Sequence, residues 1–156
     1  MTNHVPSGVS VRGLQETLDA LEKKLGPAKV VKVSKQALKL TGKYMETEIK
    51  KAVATYRDTG ATVDELIVST PKARGGTVTV KVGWDSKGSG QRFRLVHLNE
   101  FGYTPHGIYA NHANAVDSKG FAFYKPGGFG KIRQAYDAAR QPSLELARVE
   151  LRKLVD

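Results

Sequence analysis

Thr77-Val78-Thr79-Val80-Lys81-Val82-Gly83-Trp84 is the stretch on which the fold class turns. Its residues alternate strictly, so Val78, Val80, Val82 and Trp84 share one face and Thr77, Thr79, Lys81 and Gly83 the other. A period of two carried by β-branched side chains is a half-buried strand. Asp85-Ser86-Lys87-Gly88-Ser89-Gly90 follows as a flexible turn, and Phe93 to Asn99 is the next strand candidate, apolar on both faces. Two strands joined by such a loop are expected to pair as an antiparallel hairpin. Upstream, Leu66-Ile67-Val68 is a short apolar run behind a turn. The Val78–Trp84 face needs a cover, and replacing Trp84 by Ala should cost roughly 3–5 kcal/mol.

Helical periodicity flanks this centre on both sides. Val11, Leu14, Leu18, Leu21 and Leu25 recur at alternating steps of three and four, and Gly26-Pro27 ends the stripe. A longer helix is expected from about Ala28 to Tyr56, with Val30, Val33, Ala37, Leu38, Tyr44, Met45, Ile49, Ala52 and Tyr56 on one broad face. Lys32, Lys35, Lys39, Lys43 and Lys50 fall opposite, as the solvated side of an amphipathic helix. Asp58-Thr59-Gly60 should stop this helix, glycine taking a left-handed cap. Residues 102–130 are rich in glycine and read as a long loop, with Gly120 to Tyr124 a short strand inside it. The chain closes on two apolar stripes, Ile132, Ala135, Tyr136, Ala139 and then Leu144, Ala147, Leu151, Leu154. The step from Ala139 to Leu144 is five residues, a phase slip, and Pro142 lies inside it, which predicts a kink or break.

The 156 residues include no cysteine, which excludes disulfides, thiolate metal sites and cysteine nucleophiles. The first residues, MTNHVPSGVSVRG, lack the apolar core of a secretion signal, and no segment approaches the roughly 18 apolar residues of a membrane span. A soluble protein of the cytoplasm is therefore expected, with no membrane partner. The net charge is +10, and its distribution is uneven. Residues 1–60 carry 11 basic and 6 acidic side chains, residues 61–117 carry 6 and 5, and residues 118–156 carry 8 and 4. The excess sits on the helical flanks, where it would attract nucleic acid, anionic lipid or an acidic protein.

No catalytic constellation emerges from spacing, and no enzyme, cofactor or metal is expected. His97, His106 and His112 lie near Glu100 and Asp117, the kind of cluster a metal-dependent nuclease uses. No pair has the spacing of a zinc helix, so one strand histidine and two polar loop residues is the preferred reading. Lys125-Pro126-Gly127-Gly128-Phe129-Gly130-Lys131 has the look of a phosphate loop, but Lys125 stands where the first glycine is needed and Ile132 where Ser or Thr would bind magnesium. Basic nucleic-acid binding is the main alternative class, although aromatic residues are not interleaved with the lysines.

The order of segments carries a resemblance. A short helix and a long basic helix lead to Asp58-Thr59-Gly60, then to a strand ending in Gly83-Trp84. Arg92-Phe93-Arg94-Leu95-Val96-His97-Leu98-Asn99-Glu100-Phe101-Gly102-Tyr103, a glycine-rich loop and a closing helix ending Glu150-Leu151-Arg152-Lys153-Leu154 follow. Over residues 10–156 this resembles the head–tail joining, or tail-completion, proteins of long-tailed bacteriophages, the gene-product-ten-like family. The resemblance implies that Val96 to Gly102 closes a central strand and that no catalytic residues carry over. It also implies a structural role at the head–tail junction of the virion, after assembly in the host cytoplasm. Partners would be further copies in a ring of about six, connector or adaptor proteins, tail-tube or tail-terminator proteins, and DNA in passing. Within that frame Lys87, Arg92, Glu100, Tyr103, His106, Tyr109, Phe121 and Tyr124 are the candidate assembly contacts. For Glu100, a helix cap or a pairing with Arg92 or Arg94 is the plain structural alternative.

The expected architecture is a single α+β domain over residues 11–156 behind a flexible lead at 1–10. It has two N-terminal helices, a small mostly antiparallel sheet and a C-terminal helix packed on the sheet.

Overall fold

Two long helices lie side by side and everything else is arranged on them. A computed structural model describes residues 14–56, 60–84 and 92–153. Helix α1 (Leu14–Leu25) is followed, after Gly26, by α2 (Pro27–Ala54). Pro27 suits the first turn of α2, where its missing N–H has no intrahelical partner to lose. The buried side of α2 is Val30, Val33, Ala37, Thr41, Gly42, Ile49 and Val53, a stripe at helical spacing, and Lys32, Lys39 and Lys43 are exposed. Helix α5 (Lys131–Arg152) runs along α2, and Val33, Ala37 and Leu151, with Ala147, form one core cluster between them. A second cluster of Ile49, Val53 and Leu66 gathers Tyr56, Val63, Val82, Trp84 and Ile132. The first turn of α5 thus reaches the sheet.

The alternating stretch is strand, but its partner is upstream. After the short helix α3 (Ala61–Asp64) come β1 (Leu66–Val68), β2 (Lys72–Arg74), β3 (Thr77–Thr79) and β4 (Val82–Trp84). Strand β1 pairs antiparallel with β4 in the register Leu66 to Trp84 and Val68 to Val82. Strand β2 pairs with β3 in the register Lys72 to Thr79 and Arg74 to Thr77. Between the two ladders one arm has three residues, Ser69 to Pro71, and the other has two, Val80 and Lys81. One extra residue on one arm shifts the register by one, as in a bulge, and it falls where Pro71 has no N–H to donate. Lys81 bridges the gap, its N–H donating to the Ser69 hydroxyl at 2.8 Å and its carbonyl accepting from the Ser69 N–H at 2.8 Å. Gly42 of α2 is the seat for this hairpin. A Cβ there would lie 2.9 Å from Val68 Cγ1 and 3.2 Å from Val80 Cγ2. Trp84 is half-buried, with its indole N–H donating to the Thr62 carbonyl at 2.6 Å.

Four expectations are corrected. Phe93 to Asn99 is not a strand and does not pair with Thr77–Trp84. It lies in helix α4 (Phe93–Phe101), so Val96 to Gly102 closes no central strand either. An apolar run of this length reads the same in helix and strand, and tertiary contacts decide it. Gly60 is left-handed at φ +91°, but it stands before α3 and does not cap α2. Asp58 and Thr59 lie outside the described residues. Helix α5 runs through Pro142 without a break, because α2 packs against it on both sides of the proline, at Ile132 and at Ala147 and Leu151. Buried Ser143 stands in the gap between the two stripes, its hydroxyl donating to the Arg140 carbonyl at 2.8 Å. Residues 102–130 are not one long loop. They hold a 3-10 turn (Gly107–His112) and a hairpin of β5 (Ala115–Val116) and β6 (Ala122–Phe123), the latter matching the short strand expected at Gly120 to Tyr124. The lead at 1–10, Val11, the turn at 85–90 and Leu154 lie outside the described residues.

Candidate assembly surface

Helix α4 is fixed at both ends by polar contacts, which leaves its apolar side chains to the surface. At its start the Arg92 N–H donates to Glu65 Oε2 at 3.3 Å. At its end Gly102 turns the chain at φ +69°, its N–H donating to the Leu98 carbonyl at 2.9 Å. A Cβ on Gly102 would lie 2.5 Å from the Tyr124 carbonyl oxygen and closer still to the Phe123 ring, so only glycine fits. Glu100, two residues before the corner, is 7% exposed. Its Oε2 accepts the Ile132 N–H and its Oε1 the Arg133 N–H, each at 2.9 Å, and its backbone carbonyl accepts the Gly130 N–H at 3.0 Å. A carboxylate at the first turn of α5 satisfies two otherwise orphaned donors and opposes the positive end of the helix dipole.

The segment beyond Gly102 is held to this corner. Tyr103 and Tyr124 exchange backbone hydrogen bonds of 3.2 and 2.8 Å, and their rings lie 5.1 Å apart. Asn114 accepts the Lys125 N–H at 2.7 Å through Oδ1 and donates to the Lys125 carbonyl at 3.0 Å through Nδ2. Its side chain thereby extends the β5–β6 ladder by one step. At the tip, Asp117 Oδ1 accepts from the N–H groups of Lys119 and Phe121 at 2.8 and 2.9 Å. This hydrogen-bonded tip carries Phe121 and Val116, which are 63% and 70% exposed. Phe123 meets Phe129 edge to face at 5.9 Å, and Lys125 Nζ stands 5.0 Å over the Phe129 ring.

Tyr56 lies beneath the corner, against Gly128, where a Cβ would come within 2.8 Å of the ring. Its hydroxyl is buried with no hydrogen-bond partner among the described residues. Burial and, second, the Glu100 charge push this phenol up to about 12. Lys131 Nζ donates to the Thr55 hydroxyl at 2.7 Å and stands 5.9 Å from the Tyr56 ring centre.

Of the residues singled out from sequence, Tyr103 and Tyr124 are brought together as a bridge. His106 and Phe121 are exposed, and Arg92 is half-buried with its Nε buried and unpartnered among the described residues. Glu100 is engaged within the chain, in the capping role that was its structural alternative. Tyr109 lies in the 3-10 turn with its side chain outside the description, and Lys87 lies outside the described residues altogether. Sequence reading missed the exposed apolar members of α4, namely Leu95, Leu98 and Phe101, with Phe93 at the margin. The signal was present, because Val96 and Glu100, the two buried members, stand four residues apart. His97 is exposed and packs on Phe101 at 4.9 Å, whereas His106 and His112 belong to the segment past Gly102. Among the described residues no three His, Asp or Glu side chains gather as a metal site.

Residues 14–102, from α1 to the Gly102 corner, match the family described as "Bacteriophage HK97-gp10, putative tail-component". The chain belongs to this family. No curated protein and no solved structure matches it. As an HK97-gp10-like chain it is a structural component associated with phage tails, found in the virion among other virion proteins. The matched span covers both N-terminal helices, the β1–β4 hairpin and α4, while β5, β6 and α5 lie beyond it. The exposed apolar side chains of this HK97-gp10-like chain therefore fall on both sides of that boundary, those of α4 inside it and those of the Phe121 tip outside.

Proposed function

We propose that the protein completes the tail at the head–tail junction, assembling as a ring between connector and tail-tube proteins. The observation that supports this reading is the exposure of large apolar side chains on two elements of one tail-family chain. Leu95, Leu98 and Phe101 are exposed on α4, and Val116 and Phe121 on the β5–β6 tip. Exposed apolar patches of this sort serve contacts with other proteins. On the proposed reading these side chains meet a different surface of the next subunit, a head-to-tail contact that closes into a ring of about six copies when the rotation per contact is suitable. Tyr103, His106, Tyr109, Phe121 and Tyr124, in the segment past Gly102, are the proposed contacts, together with Arg92 at the root of α4 and Lys87, which precedes it in sequence. Glu100 acts indirectly, by setting the angle between α4 and α5.

The test is made in the phage that encodes the chain. Disrupting the gene should leave packaged heads and finished tails that do not join, and supplying the protein in trans should restore plaques. Empty heads or tails of altered length in place of that phenotype would overturn the junction reading.

A further inference from the structure

The β2–β3 hairpin carries a charged face that tail assembly through apolar patches does not use. From Ser69 to Trp84 the sequence has three cations, Lys72, Arg74 and Lys81, and no acidic residue. Directly opposed residues in a ladder share a face, so the pairs Lys72–Thr79 and Arg74–Thr77 lie on one side. Lys81, two residues past Thr79, belongs to it as well. All five side chains are exposed. On the other side Val78 and Val80 are half-buried, Val80 seated on Gly42 of α2. Gly75 and Gly76, at φ +55° and +77°, make a tight two-residue turn, so the ribbon ends without a bulky loop.

The charge on this face is uncompensated. Among the described residues Lys50, Lys51, Arg133, Arg148 and Lys153 each sit in an ion pair, whereas Lys72, Arg74 and Lys81 do not. No large apolar side chain is exposed between Ser69 and Lys81. A protein partner would need an apolar centre, and lysine is depleted from such centres. Lysine, arginine and threonine hydroxyls are instead the groups that contact phosphate oxygens. A two-stranded ribbon also has the width that a duplex groove admits.

We propose that this ribbon binds the phosphate backbone of double-stranded nucleic acid, without base specificity, through Lys72, Arg74, Lys81, Thr77 and Thr79. The inference does not depend on the tail-completion reading, which complementation in the phage reports separately. Anisotropy with a labelled mixed-sequence duplex, titrated over a salt series, tests it. The triple variant K72Q/R74Q/K81Q is compared with K32Q/K39Q/K43Q, which removes the same charge from the exposed side of α2, and thermal melts establish that both are folded. The ribbon variant should bind about tenfold more weakly or worse, and its salt slope should fall by roughly 2.7, the share of three lost phosphate contacts. The α2 variant should retain most of the affinity and slope. Equal losses in the two variants would reduce the effect to net charge and overturn the proposal. So would absence of duplex binding at low salt, or polyglutamate competing as well as unlabelled duplex, which would point to an acidic protein surface.

Discussion

Gly102 and Tyr56 carry opposite lessons about single residues at the α4–α5 corner. Gly102 is needed twice over, for its left-handed φ and for the space taken by Phe123 and Tyr124. Gly102→Ala should therefore lose about 2–4 kcal/mol, combining a disfavoured backbone with overpacking. Urea denaturation reads this directly, and a loss below about 0.5 kcal/mol, the scale of ordinary surface changes, would contradict the corner geometry. Tyr56 packs its ring well but buries a hydroxyl without a partner. Tyr56→Phe should be neutral or stabilising by up to about 1 kcal/mol at pH 7, since an unpaired buried group is removed at constant shape. The two proteins should diverge in alkali. Below the ordinary tyrosine range near 10 the phenol is neutral in both folded and unfolded chains, and this group adds no pH dependence. Above it the unfolded chain ionises first, because the folded phenol is pushed up to about 12. The unfolded state then binds fewer protons, so stability falls with pH across that window and levels off once the folded phenol also ionises. Parallel melts of parent and Tyr56→Phe at rising pH should show the parent losing ground only above pH 10 or so.

The elements differ in how openly the sequence declared them. Helix α2 and the alternating strand follow from periodicity, because α2 buries one regular stripe and Val78, Val82 and Trp84 are half-buried on one face, whereas α5 showed two stripes out of phase whose gap holds buried Ser143. Helix α4 was hidden because it buries only Val96 and Glu100, and the second of these is a charged residue. Nothing in a hydrophobic count marks a carboxylate as a buried anchor; its partners, the N–H groups of Ile132 and Arg133, lie more than thirty residues away. The pairing of β1 with β4 was equally non-local in its logic, since a shift of one residue between two short ladders divides one apparent strand into two. Pro142 misled in the other direction. It deprives the Ala138 carbonyl of its helical donor, yet α2 packs against both halves of α5 and keeps the helix continuous. Its side chain is exposed, so it adds nothing to the core. Pro142→Ala should raise stability by about 1–3 kcal/mol, the bulk of the penalty that proline carries inside a helix. A destabilised variant would mean that proline relieves a bend the packing requires, and denaturant midpoints distinguish the two outcomes.

At the scale of the whole molecule, the side chains that hold the fold together are not those that the tail-completion proposal assigns to contacts. The two core clusters lie along the α2–α5 contact and under the β1–β4 hairpin. The apolar surface of α4 and the Phe121 tip lie outside both. Phe101 and Phe121 are 58% and 63% exposed, so each has little burial to lose when the chain is alone. Substituting Phe101→Asp or Phe121→Asp should shift the melting temperature of the isolated protein only slightly, within the range of about 0.5 kcal/mol typical of surface changes. On the proposed reading the same substitutions place a charge in the apolar centre of an assembled contact, where an unpaired charge is strongly unfavourable. In the phage each should reduce particle yield by about a hundredfold or more, the result of losing roughly 3 kcal/mol at a repeated contact. Gly102→Ala would also lower yield, but its melting temperature would fall with it, so the two failures separate on one melt. If Phe101→Asp and Phe121→Asp fold normally and support full plaque formation, the contacts that hold this protein in the virion lie elsewhere on its surface.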